Sequence, residues 1–459
     1  MPIRTLDEYL KQVKYATTKQ LATKLKYVII GFYKETEFQE TLIGKIPKEW
    51  SITKLRNVAK INESKVNIAN LEGKVARIPM ELIPDDGIYT KYVLMPINEI
   101  KSYITAKAGD ILLAKITPSF ENGKQGIVPD DVPHGIALVT TEVYPITPIN
   151  IERLFLFYLL KWRRYRKLLE WKMTGTTGRR RVPKNALENL LIPLPPLSEQ
   201  WGIAEVLSTV DRAIEKTEKL IERLERLKKA LMQELLTKGI GHKKYKQTSI
   251  GKIPKEWKVV KLKDVAKIET HSIIPKPGVK YYYIGLEDIE SDSGRILKSK
   301  EMLTDGAEIK STKYIFTTKH VLYGKLRPYL NKVALPPRDG ICSTDILPIL
   351  PNTTLILREY LAYVLRHKRF VIYATARMKG TNHPRVNPKD ILIYEFPLPP
   401  IEEQQEIVNI LISIDRWIEL EKKRKEKLKR LKKGLMNLLL TGRIRVKVVR
   451  QDVFTTSSR

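Results

Sequence analysis

Between Ser198 and about Lys238 the apolar residues Ile203, Leu207, Val210, Ile214, Ile221 and Leu224 recur at alternating intervals of four and three, around a polar turn at Thr217. That spacing is a heptad seam along one face of a long helix. No proline and no glycine other than Gly202 interrupts it, so at ~1.5 Å per residue the segment makes a rod of roughly 60 Å. The PLPP before it forbids earlier helix, and Ser198 is placed to cap the first turn, which holds Glu199. Gly239 and Gly241 end it. A second seam runs through Ile407, Leu411, Ile414, Ile418, Leu428, Leu431 and Leu435, interrupted by charge at Glu421 and Lys425. A rod with one apolar stripe must bury that stripe, and each rod is the other's simplest partner. An antiparallel pair about a pseudo-two-fold would keep whatever each rod carries at opposite ends. The alternative is that each rod packs only on its own neighbouring domain.

The rods belong to a larger repetition. Ile43–Ile61 (IGKIPKEWSITKLRNVAKI) recurs at Ile250–Ile268 (IGKIPKEWKVVKLKDVAKI) with fourteen of nineteen positions identical. Pro193–Thr237 opens with PLPP, carries Glu199-Gln200 and closes with LKKALMQELLT; Pro397–Thr441 repeats PLPP, Glu403-Gln404 and LKKGLMNLLLT. The stretches between each entry motif and each PLPP match poorly, yet share an order of elements. The first has strand patterns at Asp110–Ile116 and Ile136–Ile146 and an amphipathic helix over Ile151–Met173. The second has strands at Val321–Leu326 and Ile341–Leu350 and a helix from Leu355 to about Met378. The fold class expected is α+β: two paralogous globular domains separated by two long helices that pair as an antiparallel coiled coil. Boundaries follow at 1–40 for an N-terminal helical segment, 41–192 and 243–396 for the domains, 193–242 and 397–446 for the helical spacers, and 447–459 for a tail.

Charge narrows the partner. A net charge of +32 on 459 residues, with 83 basic against 51 acidic residues, steers a polyanion and releases its counterions on binding. A Lys-rich thermophilic surface would balance Lys with Glu. Cys342 is the single cysteine, which excludes an internal disulfide and a thiolate metal cluster and fits a reducing cytosol. No apolar run approaches a membrane span and the N-terminus is too polar for a signal peptide, so a cytoplasmic protein without membrane partners is expected. Catalytic motifs are missing. The Gly-Lys pairs at Gly44, Gly123, Gly251 and Gly324 lack the upstream glycine of a phosphate loop, and Gly239-Ile240-Gly241 ends a helix rather than following a strand. Neither Asn-Pro-Pro nor Asp-Pro-Pro occurs. The six histidines, at 134, 242, 271, 320, 367 and 383, lack helical i, i+4 pairing and read as surface or loop residues. No catalytic, cofactor-binding or metal residue is assigned.

The order of two variable domains and two PLPP-x-x-EQ helices, with the I-P-x-x-W entry motif and a G-T-x-x-x-R-V segment before each helix, resembles the specificity subunit of type I restriction-modification systems. The resemblance spans Thr41 to about Arg445. It implies that the variable segments are target-recognition domains, each reading one half of a bipartite double-stranded DNA site. The helical regions would set the gap between halves and dock two methyltransferase subunits that modify adenine, and restriction subunits would join that core. S-adenosylmethionine, ATP and Mg2+ would then sit on partner subunits and none on this chain. The contrasting reading is a self-sufficient metal-dependent nucleic-acid enzyme, or an RNA-binding scaffold.

Base readout needs donors and acceptors on loops, Arg or Lys for guanine and Asn or Gln for adenine. The loop after the first domain's strand offers Lys115, Ser119, Asn122, Lys124 and Gln125; its counterpart offers Lys325, Arg327, Tyr329, Asn331 and Lys332. The Gly-Thr segments add Thr176, Thr177, Arg179, Arg180 and Arg181 in one domain and Thr381, Asn382, His383 and Arg385 in the other. Because that pattern recurs, these residues are expected to hold phosphates or domain structure more than bases. Arg180 and Arg327 are the foremost individual candidates. The basic run Lys422–Lys433 reads as a solvated helix face, with DNA phosphate or an acidic partner as alternatives. Trp50 and Trp257 stand in the constant motif and read as core plugs.

Overall fold

The computed structural model of the chain describes residues 28–62, 73–96, 103–176, 178–299 and 302–450. Two compact units result: Met1–Glu218 with Arg424–Arg459, and Lys219–Lys423. The division falls inside both long helices, Leu197–Lys238 and Ile401–Leu439, so each unit holds the start of one helix and the end of the other. Among the described residues no helix is long and apolar enough to cross a membrane.

Within each unit the start of one long helix packs against the end of the other, which makes the pairing antiparallel. In the first unit Ile203, Ala204 and Leu207 share a core with Met436, Leu439 and Leu440. In the second, Met232, Leu235 and Leu236 join Ile407, Val408 and Leu411, and Ile221 and Leu224 meet Ile414 and Ile418. The seam residues Val210 and Ile214 are buried as well. Leu428 and Leu435 are half-buried. Leu431 departs from the expected seam and is 51% exposed, because the buried position of that turn belongs to Lys432. Ser198 is not the cap: the helix begins at Leu197, and the Pro196 carbonyl accepts from the N–H of Glu199 and Gln200.

Two buried charges explain why Lys432 displaces a leucine. Its Nζ lies 2.6 Å from Asp211 Oδ1, and the Tyr158 hydroxyl donates to Asp211 Oδ2 at 2.7 Å. The second unit repeats the arrangement, with Lys228 Nζ 2.5 Å from Asp415 Oδ1 and the Tyr363 hydroxyl donating to Oδ2 at 2.7 Å. Burial, and after it the adjacent aspartate, pushes both phenols far above their ordinary range, so each stays a donor. A charge taken out of water tolerates only the register that supplies its partner. Three more lysines of the basic run pair within this chain, Lys425 with Glu218 at 3.0 Å and Lys429 with Asp86 at 3.1 Å in the first unit and Lys422 with Glu225 at 3.1 Å in the second, while Lys427, Arg430 and Lys433 are exposed. The run is therefore not simply a solvated face.

Each unit carries two sheets of matching design. One sheet of the first unit orders Gln125–Ile127, Ile111–Ala114, Val143–Pro148 and Ala59–Ile61, all antiparallel; the second unit has Val333–Ala334, Val321–Gly324, Ile346–Pro351 and Ala266–Ile268 in the same order. The other sheet shares three strands, with Lys74–Ile78 parallel to Ile136–Val139 and Tyr283–Ile284 parallel to Gly340–Ser343. The units part at the edges of this sheet. The first adds Val93–Pro96 beside Lys74–Ile78, whereas the second adds Ser272–Ile273 at the opposite edge, beside Lys313–Phe316.

The helix expected over Ile151–Met173 is two helices, Arg153–Lys161 and Arg163–Trp171, broken at Trp162. Its counterpart is likewise two, Arg358–Arg366 and Lys368–Ala376, broken at His367. Both break residues have extended backbone and reach a long helix: Trp162 Nε1 donates to Asn437 Oδ1 at 2.7 Å, and His367 Nε2 lies 3.0 Å from Gln233 Oε1. His367 and His320 are thus buried, not surface residues; burial pushes His367 down to about 4, so it is neutral at pH 7.

The repeated motifs meet at the helix starts. Trp50 and Trp257 are buried plugs whose indole N–H donates to Glu199 Oε2 at 3.0 Å and to Glu403 Oε2 at 2.8 Å. Gln200 and Gln404 accept from the backbone N–H of Glu152 and Leu357, each at 2.9 Å. Each glutamate is completed by the exit of the other long helix. In the second unit His242 Nε2 lies 2.8 Å from Glu403. In the first, Arg445 donates to Glu199 at 2.7 and 2.8 Å and also pairs with Glu35 and Glu49.

Arg445 belongs to a strand absent from the sequence reading. Ile444–Arg450 pairs antiparallel with Val28–Lys34. The described part of the expected N-terminal helical segment therefore holds a strand, its residues 1–27 lie outside the described residues, and the first four residues of the expected tail complete the ribbon. Gly202 records this neighbour: a Cβ there would stand 2.5 Å from Val446 and 2.8 Å from Val448. A glycine that costs a helix about 1 kcal/mol is kept for the strand's approach.

Lys432→Met strands Asp211 inside the fold and is expected to cost about 3 kcal/mol. Because the two residues form one pair, the double variant Asp211→Asn/Lys432→Met should lose much less than the two single changes summed. Thermal unfolding of the four proteins measures that coupling, and strict additivity would contradict it.

Candidate nucleic-acid interface

One backbone ladder joins the two nominated segments in each unit. In the first, Ile116 forms an antiparallel bridge with Arg181, the Thr117 N–H donates to the Arg180 carbonyl at 3.0 Å and the Val182 N–H to the Lys115 carbonyl at 2.8 Å. In the second, Leu326 bridges Arg385, the Arg327 N–H donates to the Pro384 carbonyl at 2.8 Å and the Val386 N–H to the Lys325 carbonyl at 3.1 Å. The loop after the strand and the Gly-Thr segment thus form one surface in each copy. The Gly-Thr turn needs its glycine: Gly175 has a φ of +121°, and a Cβ there would stand 2.8 Å from the Arg179 carbonyl oxygen.

The recurring arginine is a brace. Arg181 reaches Glu142 at 2.9 and 3.3 Å, and Arg385 reaches Asp345 at 2.7 and 3.0 Å, each as a two-pronged pair. Such forks fix the segment geometrically. No local pattern marks the acidic partners, which stand 39 and 40 residues before their arginines, each in the turn that leads into a strand, Val143–Pro148 or Ile346–Pro351.

Four of the nominated readers lie inside the fold or tie the loop down. Gln125 is fully buried, donating to the Phe157 carbonyl at 2.7 Å and accepting from Arg166 Nη2 at 2.8 Å. Burial pushes Arg166 down to about 9, and its remaining donors meet the carbonyls of Phe120 and Leu160. Asn331 is buried, with its amide donating to Asp292 Oδ1 at 3.0 Å and the Arg366 carbonyl at 3.2 Å. Lys124 Nζ donates to the Ile83 carbonyl at 2.8 Å, and Lys332 Nζ to the Leu286 carbonyl at 2.6 Å. A buried amide with its partners in place cannot leave them for a base without stranding them. These residues shape the loop.

The others divide by exposure. Lys115 is half-buried, its Nζ 4.6 Å from the centre of the Tyr144 ring. Ser119 and Lys325 are also half-buried. Arg180 pairs with Glu121 at 3.3 Å, which takes part of the charge expected to reach DNA. Asn122, Thr176 and Arg179 are exposed in the first unit. Arg327, Tyr329, Thr381, Asn382 and His383 are exposed in the second. Arg327 holds a left-handed backbone, φ 50°, with Nη2 donating to the Asn382 carbonyl at 3.4 Å. Thr177 lies outside the described residues. The exposed pairs, Asn122 with Arg179 and Arg327 with Asn382, carry the amide and guanidinium groups that discriminate adenine and guanine in the major groove. Among the described residues no cluster of three or more His, Cys, Asp or Glu has the arrangement to hold a metal ion.

The chain is similar to known proteins along nearly all its length. A family model described as the type I restriction modification DNA specificity domain matches residues 47–226 and 254–430. The type I restriction enzyme MjaVIII specificity subunit of Methanocaldococcus jannaschii is 30% identical over 440 residues, covering 92% of this chain and 99% of that protein. The EcoDI specificity subunit of Escherichia coli is 26% identical over 80% of this chain and 81% of that protein. Two solved chains share the fold. The type I system S subunit from M. genitalium has a TM-score of 0.53 at 14% identity, covering 88% of this chain and 99% of that one. A chain solved in work on complex assembly and conformational transition of the type I R-M system has 0.52 at 18% identity, covering 87% and 99%.

Arg179→Ala and Arg327→Ala are expected to weaken DNA binding with thermal stability unchanged, each lowering the slope of log affinity against log salt by about one where the arginine meets phosphate. Gln125→Ala should do the reverse, costing about 1–3 kcal/mol of stability and leaving base preference intact. Titrations at stepped salt beside thermal melts check both. An altered base preference in a Gln125→Ala protein of normal stability would contradict the assignment.

Proposed function

The chain belongs to the DNA specificity subunits of type I restriction-modification systems, and from that premise we propose that its two units each read one half of a bipartite double-stranded DNA target. The observation that carries the proposal is the shared ladder with unlike exposed residues: Asn122 and Arg179 on one copy, Arg327, Tyr329 and Asn382 on the other. One scaffold bearing two different sets of base-edge partners suits two different half-sites. The long helices set the length of the unread gap between them.

As a specificity subunit the chain is the non-catalytic member of its system, and the chemistry belongs to partners. Two methyltransferase subunits dock on the two repeated helical regions and modify adenine, and restriction subunits join that core. S-adenosylmethionine, ATP and Mg2+ are carried by those partners. The complex works in the cytoplasm, where its DNA lies. The +32 charge supplies the salt-sensitive, sequence-independent part of the affinity.

Selection of bound duplexes from a randomised library, with the chain assembled on its methyltransferase subunits, is expected to return two short defined half-sites separated by a gap of constant length and arbitrary sequence. A single contiguous site, or RNA preferred over duplex DNA, would overturn the proposal. So would turnover by the purified chain alone given Mg2+ and S-adenosylmethionine, which the enzyme alternative requires.

A further inference from the structure

Resting on that reading, we propose that Trp171 is a DNA-contact residue of the first unit, its indole packing against nucleotides of that unit's half-site. Trp50, Trp162 and Trp257 are buried, whereas Trp171 is 82% exposed. It is the last residue of the helix Arg163–Trp171, whose inward face is Tyr165, Arg166 and Leu169. The chain re-enters the core at Met173, and Thr174 then exchanges hydrogen bonds with Arg181 at 2.9 and 2.8 Å. The helix therefore delivers the indole three residues from the ladder that carries Arg179 and Arg180. Lys172, next to it in sequence, and Arg179, in the turn that follows, are exposed, so the segment around the ring carries groups that attract phosphate.

The second unit lacks this feature. Its corresponding helix ends at Ala376, and the aromatic nearby, Tyr373, is covered by Arg377, whose guanidinium lies 3.7 Å from the ring centre. At this helix end the large uncovered ring is on one copy only, where readers of different half-sites must differ. Left in water it is unfavourable, and against a deoxyribose or a thymine methyl it buries apolar surface, roughly 55 Å² of which is worth on the order of tenfold in affinity. Such a contact releases no counterions. It therefore shifts affinity at every salt concentration without changing the salt slope, the opposite of what an arginine on phosphate does.

The test uses the full chain and the duplex returned by the selection above. Trp171→Ala is expected to bind about tenfold more weakly at each salt concentration, with an unchanged slope and an unchanged melting temperature, since the residue is exposed. DNA should quench the indole fluorescence of the wild-type chain. That quenching should disappear in Trp171→Phe and persist in Trp201→Phe, which removes a tryptophan 40% exposed on the first long helix. Wild-type affinity in Trp171→Ala, quenching that survives Trp171→Phe, or loss of methyltransferase association with DNA affinity intact would each overturn the inference. The last outcome would make the indole a protein-docking residue. A wild-type chain that binds no duplex would instead overturn the functional reading on which the inference rests.

Discussion

Two largely buried lysines govern this architecture. Lys432 and Lys228 are each 10% exposed at the side chain, and each is met by one aspartate from the opposite helix. A leucine seam alone tolerates a shift of one heptad, because apolar contacts have little direction. A buried ammonium does not, since a shift leaves a charge desolvated and unpaired. The tyrosines on Asp211 and Asp415 come from the recognition domains. The same aspartate that fixes helix register therefore also fixes where its domain sits on that helix pair, and the loops proposed to meet DNA inherit their position from it.

The constancy of certain motifs follows from what they join. In each unit Glu-Gln ties three elements together: the helix start, the entry-motif tryptophan and the backbone that leads into the broken helix. The Gly-Thr segment is held by its arginine on an acidic residue of a neighbouring turn. These cross-element bonds leave no freedom to diverge. Between them the edge strands, the loop tips and the exposed amides differ.

Much of this was legible in the sequence. The seam positions declared themselves by period, and two stripes in need of cover implied their pairing. The domain repetition was visible from the motifs. What stayed hidden depended on distant partners or on burial that period does not report. The breaks at Trp162 and His367 interrupt the backbone for a single residue and leave the apolar pattern of the flanking turns intact. The strand Ile444–Arg450 pairs with a segment more than four hundred positions earlier, across which no local pattern speaks. Leu431 fits the heptad, but the buried Lys432 beside it takes its place. Gln125 and Asn331 are polar residues beside the loop, indistinguishable in sequence from readers of DNA until the groups they bond, Arg166 and Asp292, are seen. Arg327 and Asn382 were nominated on the same grounds and are exposed.

The central claim is that each unit reads its own half-site from its own core. Replacing residues 63–173 with the equivalent segment of another member of the family tests it most directly, with the recognised sequence of the hybrid determined by methylation mapping in the assembled complex. The account predicts that one half-site changes while the other keeps its sequence. A hybrid that folds and methylates with both half-sites altered would contradict it.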